Sequence, residues 1–397
     1  MAKSGFLSLA AIASIPFIVT LGNSMLIPVL PVMEHELGIS TFQSSLIITV
    51  YSIVAVVFIP LAGIASDRVG RKNVIIPSLA ITGAGGLISA LATILAVHPF
   101  YFILAGRFIQ GIGAAGAFPI VFPLMGDLFS DEEDVSHGLG IAETANTLGK
   151  VISPILGTLF AALAWYVPFF TIPVLSLLSL LMIAFWIDDS KAKKKTMAIS
   201  SFFKLLKDVF KEEGKWLTAV FLSGIVIMTN LFGLLVYLSK ILEDSYRIVG
   251  IKKGLALAIP LVSIALSSYL AGKFIGKEKT IMRRTTLIGF LLVATACFAM
   301  VFFHELWSLF AFISVAGVGF GISLPSLDAI ITESIEKEHR GTITSVYSGM
   351  RYAGVAIGPP LFSVLLLYSV ESIFLVASGL SLMAAILVFT LIRPPTE

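Results

Sequence analysis

The chain has 397 residues, and its 27 Lys and Arg with 24 Asp and Glu amount to 13%, against roughly 25% in a soluble globular protein. With a mean hydropathy of +0.99, too few charges remain to solvate the outside of a fold this large, which excludes an ordinary soluble enzyme and a disordered chain. A net charge of only +3 excludes a basic nucleic-acid binder. What remains is an integral membrane protein embedded in a lipid bilayer. One cysteine, Cys297, precludes an internal disulfide or cysteine metal cluster. The five histidines form no metal-binding pattern, so neither a metal site nor a cofactor is expected.

A helix needs about 20 mostly apolar residues to cross the bilayer core. Such runs are expected at 7–33, 44–64, 73–95, 99–123, 138–162, 166–187, 216–239, 254–275, 284–303, 306–327, 342–368 and 372–392. The first outruns a signal-peptide core and has no small-x-small cleavage site, so it is expected to be a retained span. The longest polar stretch, 188–215, contains Phe202, Phe203, Leu205, Leu206, Val209 and Phe210 on one helical face and Lys204, Lys207, Asp208 and Lys211 on the other. It predicts a short amphipathic helix on the membrane surface. The chain is thereby divided into an N-terminal six-helix bundle (1–187), a cytoplasmic linker (188–215) and a C-terminal six-helix bundle (216–397).

With a cytoplasmic N-terminus, 20 of the 27 basic residues fall in inside segments and four outside (Lys240, Arg247, Lys252, Lys253), while Arg107, Lys150 and Arg351 lie within spans. Both termini are therefore expected in the cytoplasm of a multi-pass cell-membrane protein. Trp165, Trp186, Trp216 and Trp307 all stand at span ends, where interfacial rings belong. The acidic run 131–134 is expected to be a solvated loop.

The two halves echo one another. Gly149 and Pro154 match Gly354 and Pro359 at an offset of 205; GIGAAGAFP matches GVGFGISLP at about 206; Asn23 matches Asn230 at 207. Two homologous halves of the same orientation follow, an arrangement that places a substrate site near the bilayer midplane.

The loop after the second span, Gly63-x3-Asp67-Arg68-x-Gly70-Arg71-Lys72, fills every position of motif A of the major facilitator superfamily, and the chain resembles its twelve-span drug:proton antiporters. The resemblance implies that Asp67 meets the N-terminus of the eleventh span, and here Arg340, as a gate that breaks on opening. The bland alternative is a loop that only sets topology. Arg107-x2-Gln110-Gly111-x-Gly113 resembles motif B of proton-coupled members. Gly140, Gly149, Pro154 and Gly157 resemble motif C of antiporters, with Ser153 and Thr158 in place of two glycines. That motif implies export.

Glu143, Asn146, Thr147 and Lys150 share one helical face of the fifth span. Glu143 is the only carboxylate well inside a span, and a carboxylate in a partly dry site can carry a proton across. It is the candidate proton-coupling residue, with an ion pair to Lys150 or Arg107 as the alternative. Asn23, Arg107, Asn146, Lys150, Asn230 and Arg351 are the candidate substrate-cavity residues. If all three bases face the substrate, the site carries +2 with Glu143 ionised, which favours neutral or anionic compounds over dications.

The expected function is export of small amphiphilic compounds by a monomeric, proton-driven, non-enzymatic transporter of the multidrug type. A specific carrier of a sugar, organic acid or siderophore is the alternative within transport, and a non-transporting membrane sensor the remote one.

Overall fold

The structure is a computed structural model that describes residues 3–128, 132–187, 199–276, 278–303 and 305–392. All regular structure in these residues is helical. In chain order the helices are α1 (Lys3–Ser24), α2 (Leu30–Leu37), α3 (Thr41–Val69), α4 (Arg71–Leu95), α5 (Pro99–Ala117), α6 (Val121–Leu128) and α7 (Glu132–Ala161). There follow α8 (Val167–Trp186), α9 (Ile199–Asp244), α10 (Gly250–Phe274), α11 (Lys279–Ala299), α12 (Leu306–Ser334), α13 (Lys337–Leu366) and α14 (Val370–Leu391). Eleven segments of the described residues are long and apolar enough to span a bilayer. The 30-residue α7 is as long but more polar, since it carries Glu143, Asn146, Thr147 and Lys150. Large apolar side chains such as Ile53, Val57, Val97, Leu163, Phe185 and Trp307 are exposed, as a lipid-facing surface requires.

Prolines divide two of the expected spans. The first breaks at a 3-10 turn, Ile27–Val29, between α1 and α2, where Pro28 and Pro31 lack the N–H groups a continuous helix needs. The fourth breaks between α5 and α6, beside Pro119 and Pro123. Elsewhere helices run further than expected. The face-patterned stretch before the seventh span is not a separate helix: it is continuous with that span in the 46-residue α9. Between Ser200 and Trp216 only Gly214 weakens the helix, by about 1 kcal/mol, too little to end it. The Phe210 ring lies 5.7 Å from Phe221, three turns on. The acidic run also differs from a loop, because α7 already begins at Glu132; Asp131 and residues 188–198 of the linker lie outside the described residues.

Two compact units form. One comprises Met1–Ile199 with Ser239–Leu255, the other Ser200–Leu238 with Ala256–Glu397. In the first, α4 packs on α5 and α8, α3 on α5, and α1 on α7 and α8; in the second, α11 packs on α12 and α14. The repeat read from sequence reappears as repeated contacts. A Cβ on Gly149 of α7 would lie 2.9 Å from the Phe17 carbonyl of α1. A Cβ on its match, Gly354 of α13, would strike the Ile225 carbonyl of α9. Backbones that approach this closely admit no side chain. Motif C is not uniform in this respect: Gly157 packs on the Met25 carbonyl, whereas a Cβ on Gly140 would meet nothing within 4 Å.

Gly149→Leu and Gly354→Leu are expected to destabilise the protein by about 1–3 kcal/mol each through overpacking. Gly140→Leu should leave stability unchanged. Thermal melting of the detergent-solubilised variants checks this contrast.

Candidate transport site

Arg107 is the largest fully buried side chain, at 0% exposure. α5 carries it between α3 and α1. Its Nε donates to the Ile47 carbonyl at 2.8 Å, Nη1 to Gln110 Oε1 at 2.7 Å, and Nη2 to Asn23 Oδ1. Its guanidinium carbon sits 4.3 Å from the Tyr51 ring centroid. Gln110 follows at i+3, which places both on one face of the helix. A guanidinium stays charged, and taking it out of water costs several kcal/mol unless its donors are satisfied. Here a carbonyl, two amides and an aromatic face satisfy it, so all the partners are neutral. The arrangement joins three helices and leaves a fixed positive charge inside the unit.

On α7, Asn146 is buried and accepts a hydrogen bond from Thr20 Oγ1 of α1 at 2.6 Å. Its amide nitrogen donates to Glu143 Oε1 at 3.0 Å. Glu143 itself is exposed, so Asn146 orients a carboxylate on an open face of α7. Arg107 spends its three nitrogens on other acceptors. Lys150 is half-buried on the same face of α7. Pro154 cannot supply the N–H that the Lys150 carbonyl would receive, and Ser153 Oγ donates to that carbonyl instead at 2.8 Å. The serine that departs from motif C therefore repairs the bond that the motif's proline removes.

Motif A forms a compact charge cluster. Gly70, at φ +103°, ends α3 and opens α4 in a single residue, a conformation L side chains rarely adopt. Arg71 pairs with Asp67, donates from Nε to Asp127 Oδ2 of α6 at 3.0 Å, and from Nη1 to Ser66 Oγ at 2.6 Å. Lys72 Nζ closes the C-terminus of α8 by donating to the Ala184 and Ile187 carbonyls at 3.1 and 2.6 Å. Arg68 is exposed, and Gly63 has open space beside it. The side chain of Arg340 lies outside the described residues. Asp127, at the end of the fourth span, is Arg71's second acidic partner; no spacing pattern points to it.

In the second unit Asn230 is buried and donates to the Ala377 carbonyl at 3.0 Å and Ser381 Oγ at 2.9 Å, which joins α9 to α14. The repeat offset of 206 sets Ile313 opposite Arg107. Without an arginine to receive, Asn230 turns to α14 where Asn23 turns inward. Arg351 is half-buried, 3.7 Å from Asp328 Oδ1, with its guanidinium 5.9 Å from the Tyr347 ring. Tyr347 stacks on Phe221.

Helical spans, repeated close crossings and a buried arginine in a neutral polar cage define a polytopic membrane protein. The Major Facilitator Superfamily model matches residues 12–282 and 252–397, and the chain belongs to that superfamily of transporters, which are not enzymes. It is 49% identical over 382 residues to the bacillibactin exporter of Bacillus subtilis (strain 168), covering 96% of this chain and 95% of that one. It is 25% identical to the class B tetracycline resistance protein of Escherichia coli, covering 87% and 85%. The crystal structure of the human organic anion transporter MFSD10 superposes with a TM-score of 0.77 at 18% identity, covering 97% and 99%, a likeness of fold.

Arg107→Ala leaves the buried acceptors of Ile47, Gln110 and Asn23 without their donor, at about 1–3 kcal/mol for each unsatisfied group. Arg107→Lys cannot reproduce the planar fork. Both variants are expected to melt several degrees below the parent, with Arg107→Ala the lower, as read by thermal unfolding in detergent.

Proposed function

We propose that this protein exports a siderophore, a small metal-chelating molecule of the kind bacillibactin represents, in exchange for protons. The observation that carries this reading is 49% identity, sustained over nearly the whole of both chains, with a bacillibactin exporter. This favours a dedicated siderophore exporter over the broad multidrug pump that the motifs alone suggest. The charge pattern supports the same choice. Arg107 keeps a positive charge among neutral partners, and at an effective dielectric near 20 a unit charge about 10 Å away feels roughly 1.7 kcal/mol from it. That field attracts an anionic or electron-rich chelator and opposes a cationic drug.

In this reading Glu143 takes up a proton from outside and releases it inside, with Asn146 holding the carboxylate in place. Motif C supports export over uptake. The 20-to-4 partition of basic residues supports a plasma-membrane protein with both termini cytoplasmic. Motif A supports a cytoplasmic gate built on Asp67, Arg71 and Asp127.

A second reading, efflux of several drugs, draws on the tetracycline and quinolone resistance proteins at 24–25% identity. A strain that makes bacillibactin but lacks its own exporter separates the two. Expression of this chain is expected to restore siderophore in the medium without raising resistance to a panel of cationic, neutral and anionic toxicants. Strong preference for dicationic dyes with no siderophore export would overturn the proposal.

Proton coupling has its own test in everted membrane vesicles. Bacillibactin accumulation should depend on the proton gradient, and Glu143→Gln should reduce it by about tenfold or more, a barrier change of roughly 1.4 kcal/mol. Transport unchanged in Glu143→Gln removes this residue from the coupling step.

A further inference from the structure

The repeat that relates the two halves also relates their charges. The offset of 205 that sets Gly149 opposite Gly354 sets Asn146 opposite Arg351. On α7, Asn146 holds the Glu143 carboxylate. At the matching position of α13 stands a permanent cation, and its setting differs from that of Arg107. Arg107 is fully buried and donates to neutral oxygens at 2.8 and 2.7 Å. Arg351 Nη1 stands 3.7 Å from a carboxylate oxygen, Asp328 Oδ1 of α12. That is well beyond the roughly 2.7–2.9 Å of a charge-assisted hydrogen bond.

The surroundings fix the cation and expose the acid. Gly354 and Gly358, one and two turns on from Arg351, are already closed by α9: a Cβ on either would strike the Ile225 or Thr229 carbonyl. The Arg351 charge lies against Asp328 and over Tyr347 instead, with its guanidinium carbon 5.9 Å from that ring. The ring itself cannot move. It is 1% exposed and stacks on Phe221 at 6.1 Å, and a Cβ on Gly224 would lie 2.7 Å from it. The Tyr347 hydroxyl has no hydrogen-bond partner among the described residues, so the residue is held by its ring. The Asp328 side chain, by contrast, is 49% exposed, against 19% for Arg351. A carboxylate set against hydrocarbon is costly, so an open side here argues for contact with water or with a polar ligand. A guanidinium is a rigid fork that matches two oxygens side by side, and chelators that hold metals through oxygen present such pairs.

Resting on the chelator export argued above, we propose that Arg351 binds the anionic oxygens of the substrate. Asp328 is a built-in competitor that occupies Arg351 until the anion displaces it. Tyr347 is the positioning residue that presents the guanidinium. A neutral compound gains no charge pairing by displacing Asp328, and a cationic one is repelled by Arg351, so the pair selects for anions. The halves then divide the work: Glu143 in the first carries the proton, and Arg351, at the position matching Asn146, carries the anion.

Two probes of nearly equal shape test this: salicylate, an anion, and salicylamide, uncharged at neutral pH. Binding to the purified full chain in detergent is read as the concentration that half-saturates thermal stabilisation. The parent is expected to prefer salicylate. Asp328→Asn removes the competitor; with Arg351 occupied about nine-tenths of the time, salicylate should bind about tenfold more tightly and salicylamide as before. Arg351→Gln should weaken salicylate by about tenfold and again leave salicylamide as before. Arg351→Lys, which keeps the charge without the fork, replaces a glutamine variant that does not fold, with a loss of about threefold expected. Three outcomes overturn the proposal: equal affinity or none for the two probes in the parent, no gain for salicylate in Asp328→Asn, and losses shared by both probes. A purely structural ion pair gives the last two. Neither probe is a siderophore, so the readings fail separately. Anion preference that depends on Arg351, in a protein that does not export bacillibactin, strikes the siderophore reading alone. Bacillibactin export without that preference strikes the anion site alone.

Discussion

The buried guanidinium of Arg107 is the constraint from which much of the first unit follows. A permanent charge in a dry interior must have every donor placed, and α5 can place this one only if α3 offers the Ile47 carbonyl and α1 the Asn23 amide. Gln110 one turn on and Tyr51 over the ring plane complete the cage. Helix positions, small residues at the crossings and the break in the first span must all be compatible with that one side chain. The cage contains no acid, so the positive charge that locks the helices has only neutral partners. The proposed attraction of an anionic chelator rests on that same geometry.

Prolines impose the complementary constraint on the backbone. In a bilayer a carbonyl that loses its N–H partner must find another donor within the protein. Two solutions occur here. At Pro154 the repair is local, because Ser153 turns back to the Lys150 carbonyl and α7 continues. At Pro31 the helix stops, and the donor for the Ile27 carbonyl is Ser239, from 212 residues away in the chain. The first solution leaves a helix that can bend; the second makes a helix break dependent on a distant segment.

The charge cluster of motif A shows how a short pattern acquires its meaning. Gly70 permits the single-residue turn, and that turn brings Arg71 back over Asp67 and Ser66 while Lys72 reaches the end of α8. The motif thus ties α3, α4, α6 and α8 together before any gating role is considered. Asp127 takes part although it stands outside the motif and 56 residues from Arg71.

The amino-acid sequence determined the class of the protein, its helical spans, the repeat and the superfamily, because each depends on local properties. Apolar run length decides whether a segment can cross a bilayer, and small residues at a fixed offset mark equivalent crossings, as Gly149 and Gly354 do. Asn146 and Glu143 could be placed on one helical face from spacing alone. Only the tertiary structure decided what those groups touch: that Arg107 is held by neutral partners, that Glu143 is exposed and bonded to Asn146, and that Lys253 is buried on Pro28 rather than solvated in a loop. The reason is physical. Burial and pairing of a charge depend on groups from helices far apart in the chain, and no periodicity within a helix encodes which of them will meet.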